Sequence, residues 1–168
     1  MEAGTLVARE RLQRRGVRLE WFTVAWNVAE AVVAIGAGIA AGSVALIGFG
    51  VDSGIEVVAA SALLWRFRQA SADASEAEHG RAERRAPYVV SATFFALAAY
   101  IAFEAIQGLA SRDEPETSTV GLILAVVSLA VMPALAYAKQ RTGRALASRA
   151  LQADAVETWV CAYLSLAL

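Results

Sequence analysis

The chain of 168 residues holds one cysteine, three prolines and one histidine, and only 18% of it is charged. A lone Cys161 excludes a disulfide scaffold. Three prolines and the absence of any polar tract leave little room for disorder. The 15 basic and 16 acidic residues nearly cancel, which argues against a nucleic-acid binder. Charge is the main deficit: a soluble domain is about 25% charged and about 45–50% apolar, whereas this chain is 58% hydrophobic with a mean hydropathy of +0.50. One small soluble core cannot hide that much apolar surface, so lipid is the implied solvent.

Four apolar runs, at 21–41, 44–65, 88–110 and 118–138, meet the length of about 20 residues that crosses roughly 30 Å of hydrocarbon. A fifth, slightly short, occupies 151–168 and stops with the chain at Leu168 without a flanking charge or cap, as a chain cut short would. In lipid such segments must be helical, because every backbone group has to be paired internally. The fold class expected is therefore all-α, a polytopic membrane helix bundle forming one transmembrane domain over 1–168. Residues 1–20 read as a basic cytoplasmic segment, and the first run is too long for a signal-peptide core. Fourteen of the 15 basic residues fall before the first run, between the second and third, or between the fourth and fifth; only Arg112 lies in the opposite loops. That bias places the N-terminus in the cytoplasm.

The informative residues are the acids inside the runs: Glu30, Asp52, Glu56, Glu104, Asp154 and Glu157. No Lys or Arg stands in the same layer to pair with them. Each costs on the order of 2.5–3.5 kcal/mol at a helix centre, so protonation, a wet cavity or a bound cation must offset them. Asp52 and Glu56 share one face of the second helix, four residues apart, and Glu157 and Cys161 share one face of the fifth. At 1.5 Å per residue, Glu56 and Glu157 both fall about 10–14 Å from the cytoplasmic boundary, with Asp52 and Cys161 about one turn deeper. Two antiparallel helices thus present three carboxylates and one sulfur at two matching levels, the donor set for a small divalent ion.

Other residues carry less. Glu30, three residues after Asn27, is placed to line an access path, and Asp154, about one turn into the fifth run, is placed to be wetted and to attract cations; both are secondary ligand candidates. Glu104 reads as a hydrogen-bonding or interfacial group, and His79 as a solvated loop residue. The pairs Gly38/Gly42 and Gly50/Gly54 permit close helix approach, the second bracketing Asp52. Trp21, Trp26, Trp65 and Trp159 read as interface anchors or packing.

The run GSVALIGFGVDSGIE at 42–56 resembles the second-helix motif of cation diffusion facilitators. HGRAER at 79–84 is similar to their inter-helix signature, YIAFEAI at 100–106 to their third helix, and ADAVETWVC at 153–161 to their fifth-helix motif. The likeness is nearest to short bacterial cation transporters that lack a C-terminal soluble domain, related to the animal transmembrane-protein-163 group. It implies six helices, five of them visible here, in a homodimer of a bacterial inner membrane. It also implies export of zinc or a related divalent ion (cadmium, iron or manganese) in exchange for protons, with no resident cofactor and no enzymatic activity.

The family's central site maps residue by residue onto Asp52, Glu56, Glu157 and Cys161. Family members usually carry Asp in place of Glu56, His in place of Glu157 and Asp in place of Cys161. Losing the imidazole weakens a preference for zinc, while a thiolate favours soft ions. The altered set leaves open a second reading, a non-transporting scaffold or regulatory subunit that keeps the fold. An intramembrane enzyme lacks the nucleophile–base pair it would need.

Overall fold

A computed structural model describes residues 2–69 and 118–167, together with separate positions between 88 and 110 that are helical. His79, Glu104, Arg112 and several positions of the third expected span lie outside the described residues. Four helices are complete: α1 (Glu2–Ala41), α2 (Val44–Gln69), α3 (Thr119–Ala145) and α4 (Arg149–Ala167). Three of them contain stretches long and apolar enough to cross a membrane, at Val7–Ala41, Val44–Arg68 and Thr119–Ala145. The fifth run of the sequence, now α4, is not among these three: Gln152, Asp154, Glu157 and Thr158 dilute its apolar content.

Two helices outrun the apolar stretches that announce them. α1 begins at Glu2 rather than near residue 21. Arginine is a good helix former, and Arg14 pairs with Glu10 one turn back at 2.6 Å, so the basic segment continues the helix. α3 runs on from the fourth apolar run to Ala145, which puts Lys139 inside the helix instead of in a loop.

The α1–α2 and α3–α4 corners share one construction. At the first, Gly42 takes a left-handed φ of 64°, Ser43 N–H donates to the Gly38 carbonyl at 2.9 Å, and Gly42 N–H to that of Ile39. These are the two bonds of a Schellman stop. The Ser43 hydroxyl then accepts from Leu46 N–H and caps α2. At the second, Ala147 holds φ 51°, Ser148 N–H donates to Gly143 at 2.9 Å, and the Ser148 hydroxyl accepts from Leu151 N–H. Arg66 also donates to that hydroxyl at 3.1 Å and ties the end of α2 to this corner.

Such tight corners make α1 antiparallel to α2 and α3 antiparallel to α4. α1 also packs on α3, and α2 on α4. Close approach of α1 and α2 is made through Gly38 and Gly50, where a Cβ would sit 2.7 Å and 2.6 Å from Ile47 and Ile35. Gly54, expected to do the same, has nothing within 4 Å among the described residues.

The bundle is apolar outside and polar within. Val28, Val32, Ile39, Leu122, Ile123 and Val126 are among the exposed side chains, as helices solvated by lipid require. Inward, α1 presents a stripe of Gly16, Glu20, Thr23, Asn27, Glu30, Ala34 and Gly38, spaced three or four residues apart and all buried. Three small apolar clusters flank this interior: Leu63, Phe67, Ala150 and Leu151; Met132, Leu135, Cys161 and Ala162; and Ala34, Leu46 and Phe49. Trp26 packs against the second, while Trp21, Trp65 and Trp159 are 40–51% exposed.

Candidate metal centre

α2 and α4 run in opposite directions, so residues pair along them in reverse order. Asp52 meets Cys161, Glu56 meets Thr158, and Leu63 and Phe67 pack with Leu151 and Ala150. The Cys161 thiol donates to Asp52 Oδ2 at 2.8 Å. Asp52, Glu56, Glu157 and Cys161 are each 1% exposed or less. Asp52 Oδ1 and Glu56 Oε2 have no hydrogen-bond partner among the described residues. Also among the described residues, no three His, Cys, Asp or Glu side chains are gathered closely enough to hold an ion as they stand.

Thr158, not Glu157, is the α4 group hydrogen-bonded to Glu56: its hydroxyl donates to Glu56 Oε1 at 2.6 Å. Successive helix residues differ by about 100° in direction, so a one-residue offset decides which α4 side chain faces α2. Glu157 is buried on α4 beside it.

The expectation that the buried acids lack a cation is overturned by Lys139. Its side chain is fully buried, with Nζ 2.6 Å from Asp154 Oδ2, 3.5 Å from Glu20 Oε2 and 3.8 Å from Glu56 Oε1. It also donates to Thr158 Oγ1 at 3.1 Å, so a relay runs from Lys139 through Thr158 to Glu56. Asp154 is therefore not wetted; it is wholly buried, and the cation it attracts is the chain's own. An unpaired charge at this depth would cost several kcal/mol, and a paired one survives only with further hydrogen bonds.

Glu30 sits at another junction of three helices. Its Oε1 accepts from Ser128 of α3 and its Oε2 from Ser53 of α2 at 3.4 Å. Asn27, one turn earlier, donates to the Thr23 carbonyl at 3.0 Å. Ser53, which donates to Glu30, adjoins Asp52 on α2, so the polar stripe of α1 reaches the α2–α4 site. Glu20 and Lys139 escape the sequence reading because each adjoins the end of an apolar run, where a charge reads as a flank. The signal that finds Glu20 is the stripe itself, repeating at three- and four-residue steps back from Glu30.

The described helices thus bury acids from α1, α2 and α4 behind an apolar exterior, a setting that favours the presence of cations. No solved structure matches the chain. The family model of the cation efflux transmembrane domain matches residues 21–168, which takes in α2, α3, α4 and all of α1 from Trp21 onward. The chain thus belongs to the cation efflux family and is an integral membrane cation transporter.

Proposed function

We propose that the transported ion is a divalent metal, zinc foremost, exported from the cytoplasm in exchange for protons by a homodimer in a bacterial inner membrane. Asp52, Glu56, Glu157 and Cys161 are the ligands in this reading, with Asp154 and Glu30 as outer acids rather than first contacts. One observation carries it. Asp52 Oδ1 and Glu56 Oε2 lie one turn apart on α2, fully buried and without hydrogen-bond partners among the described residues. Leaving such atoms unpaired costs about 1–3 kcal/mol each, more when charged, and a cation shared between them removes that cost.

The mechanism follows from competition for one set of groups. Carboxylates and a thiol bind a metal ion only when deprotonated, so an ion entering from the cytoplasm displaces the proton that Cys161 shares with Asp52. Glu56 turns from Thr158 towards the ion, and Glu157 completes the set through a small rotation of α4. On the outer side, protons retake the groups and the ion leaves. The proton gradient drives export, and alternating access of the bundle keeps the two steps apart. The basic flanks orient the N-terminus, and with it the Lys139 end of the bundle, to the cytoplasm.

The test is proton release on adding zinc to purified protein in weak buffer, paired with zinc uptake by vesicles. Release of protons with zinc, and loss of uptake in Asp52→Ala, are expected. Zinc that displaces no protons, together with unchanged uptake in Asp52→Ala, refutes the mechanism. A non-transporting scaffold is favoured by one fact, that the four groups are not yet gathered around a point. Isothermal titration separates the two, since a scaffold has no tight zinc site for Glu56→Gln to remove.

A further inference from the structure

Each of the four helices sends a polar side chain to one point: Glu20 from α1, Glu56 from α2, Lys139 from α3, and Asp154 with Thr158 from α4. All are 1% exposed or less. Lys139 Nζ is surrounded by a cluster of three carboxylates and a hydroxyl, all within 4 Å. The cation in it is covalently tethered to α3.

We infer that Lys139 is a built-in counter-cation that competes with the transported ion for Glu56, and so sets the affinity of the site. This rests on the metal-site reading of Asp52 and Glu56 given above. Lys139 holds one oxygen of Glu56 directly and again through Thr158, leaving Oε2 for the ion. An ion on Oε2 shares Glu56 with Lys139, and the positive charge opposes the ion from within the same dry interior, where screening is weak. Binding is held down and release is eased, which a transporter needs, since an ion that binds too tightly cannot leave. Asp154, the nearest acid at 2.6 Å, tempers that charge and fixes its position.

Opposite signs distinguish this role from mere support of the fold. In Lys139→Met the stem is retained and the charge lost. Zinc binding measured by isothermal titration of the purified full chain is expected to tighten by about tenfold or more. In vesicles KM falls and the maximal rate falls with it, as release slows. In Asp154→Asn the lysine charge is left less compensated, and binding is expected to weaken by a similar factor. The double variant returns close to wild type, which it would not do if Asp154 were itself a ligand. Lys139→Arg, which keeps the charge, stays near wild type.

Should Lys139→Met fail to fold alone, the step from Asp154→Asn to the double variant reads the same quantity, an expected recovery of about tenfold. Shifts of one sign in both single variants, or no shift in either, overturn the role of Lys139. Wild type that binds zinc through Asp52, with the Lys139 variants unmoved, refutes only this inference. Wild type that binds no zinc refutes the metal-site reading and this inference together.

Discussion

Gly50 and Gly54 stand one turn apart on α2 with Asp52 between them, and adding one methyl group to each should have opposite effects. At Gly50 a Cβ would lie 2.6 Å from Ile35 Cγ1, 3.1 Å from Ile35 N and 3.2 Å from the Ala31 carbonyl oxygen. The isoleucine tip can move, but the two backbone atoms can give way only if α1 shifts away from α2. Overpacking of that kind costs about 1–3 kcal/mol. At Gly54 nothing lies within 4 Å among the described residues. There, alanine gains the helix propensity that glycine lacks, about 0.5–1 kcal/mol.

The two variants should therefore differ by about 1.5–4 kcal/mol, or about 3–16 °C in the midpoint of thermal unfolding for a chain of this size. Circular dichroism in detergent measures it, with Gly54→Ala at or above wild type and Gly50→Ala below. Function should follow packing. Displacing α1 lengthens the contact from Ser53 to Glu30, already 3.4 Å, so Gly50→Ala should also slow transport while Gly54→Ala keeps it. Equal midpoints, or a Gly54→Ala less stable than Gly50→Ala, would refute close α1–α2 approach at Gly50.

Two further outcomes are expected. Ala147 carries a positive φ of 51° at the end of α3, where a side chain costs about 1–2 kcal/mol that glycine avoids; Ala147→Gly should raise the thermal midpoint by a few degrees and leave transport unchanged. Cys161→Ser keeps a donor for Asp52 Oδ2 but, in the proposed site, exchanges a soft ligand for a hard one. Titrations should show cadmium binding weakened by about tenfold or more and manganese binding by much less, and equal losses for both ions would remove Cys161 from the ligand set.

Much of the bundle is legible in the sequence because lipid imposes simple rules on it. Long apolar runs can only be helices, and the four-residue steps from Asp52 to Glu56 and from Glu157 to Cys161 fix faces. Opposed helix directions then bring Asp52 level with Cys161, the contact found at 2.8 Å. What those rules leave undetermined is rotation. Depth alone cannot say whether Glu157 or Thr158 turns towards Glu56, because neighbours on a helix share a level and differ by about 100° in direction. That angle depends on packing between α3 and α4, where Gly143 sits so close to Gln152 that a Cβ would lie 3.0 Å from its side chain.

The ends of the apolar runs are ambiguous for a different reason. A lysine stem is itself apolar, so a lysine just past such a run can reach out to the membrane surface or turn inward, and its own position does not distinguish the two. The choice is made by what lies at the same height on the other helices. Outward, Lys139 would meet water; inward, it meets Glu20, Glu56 and Asp154 within 4 Å, each of which would otherwise be buried without it. Arg141, Arg144 and Arg149 stay exposed. A buried basic residue in a chain of this kind is thus found by matching acids across helices at one depth, and the three that select Lys139 include Glu56, which is also a ligand in the proposed site.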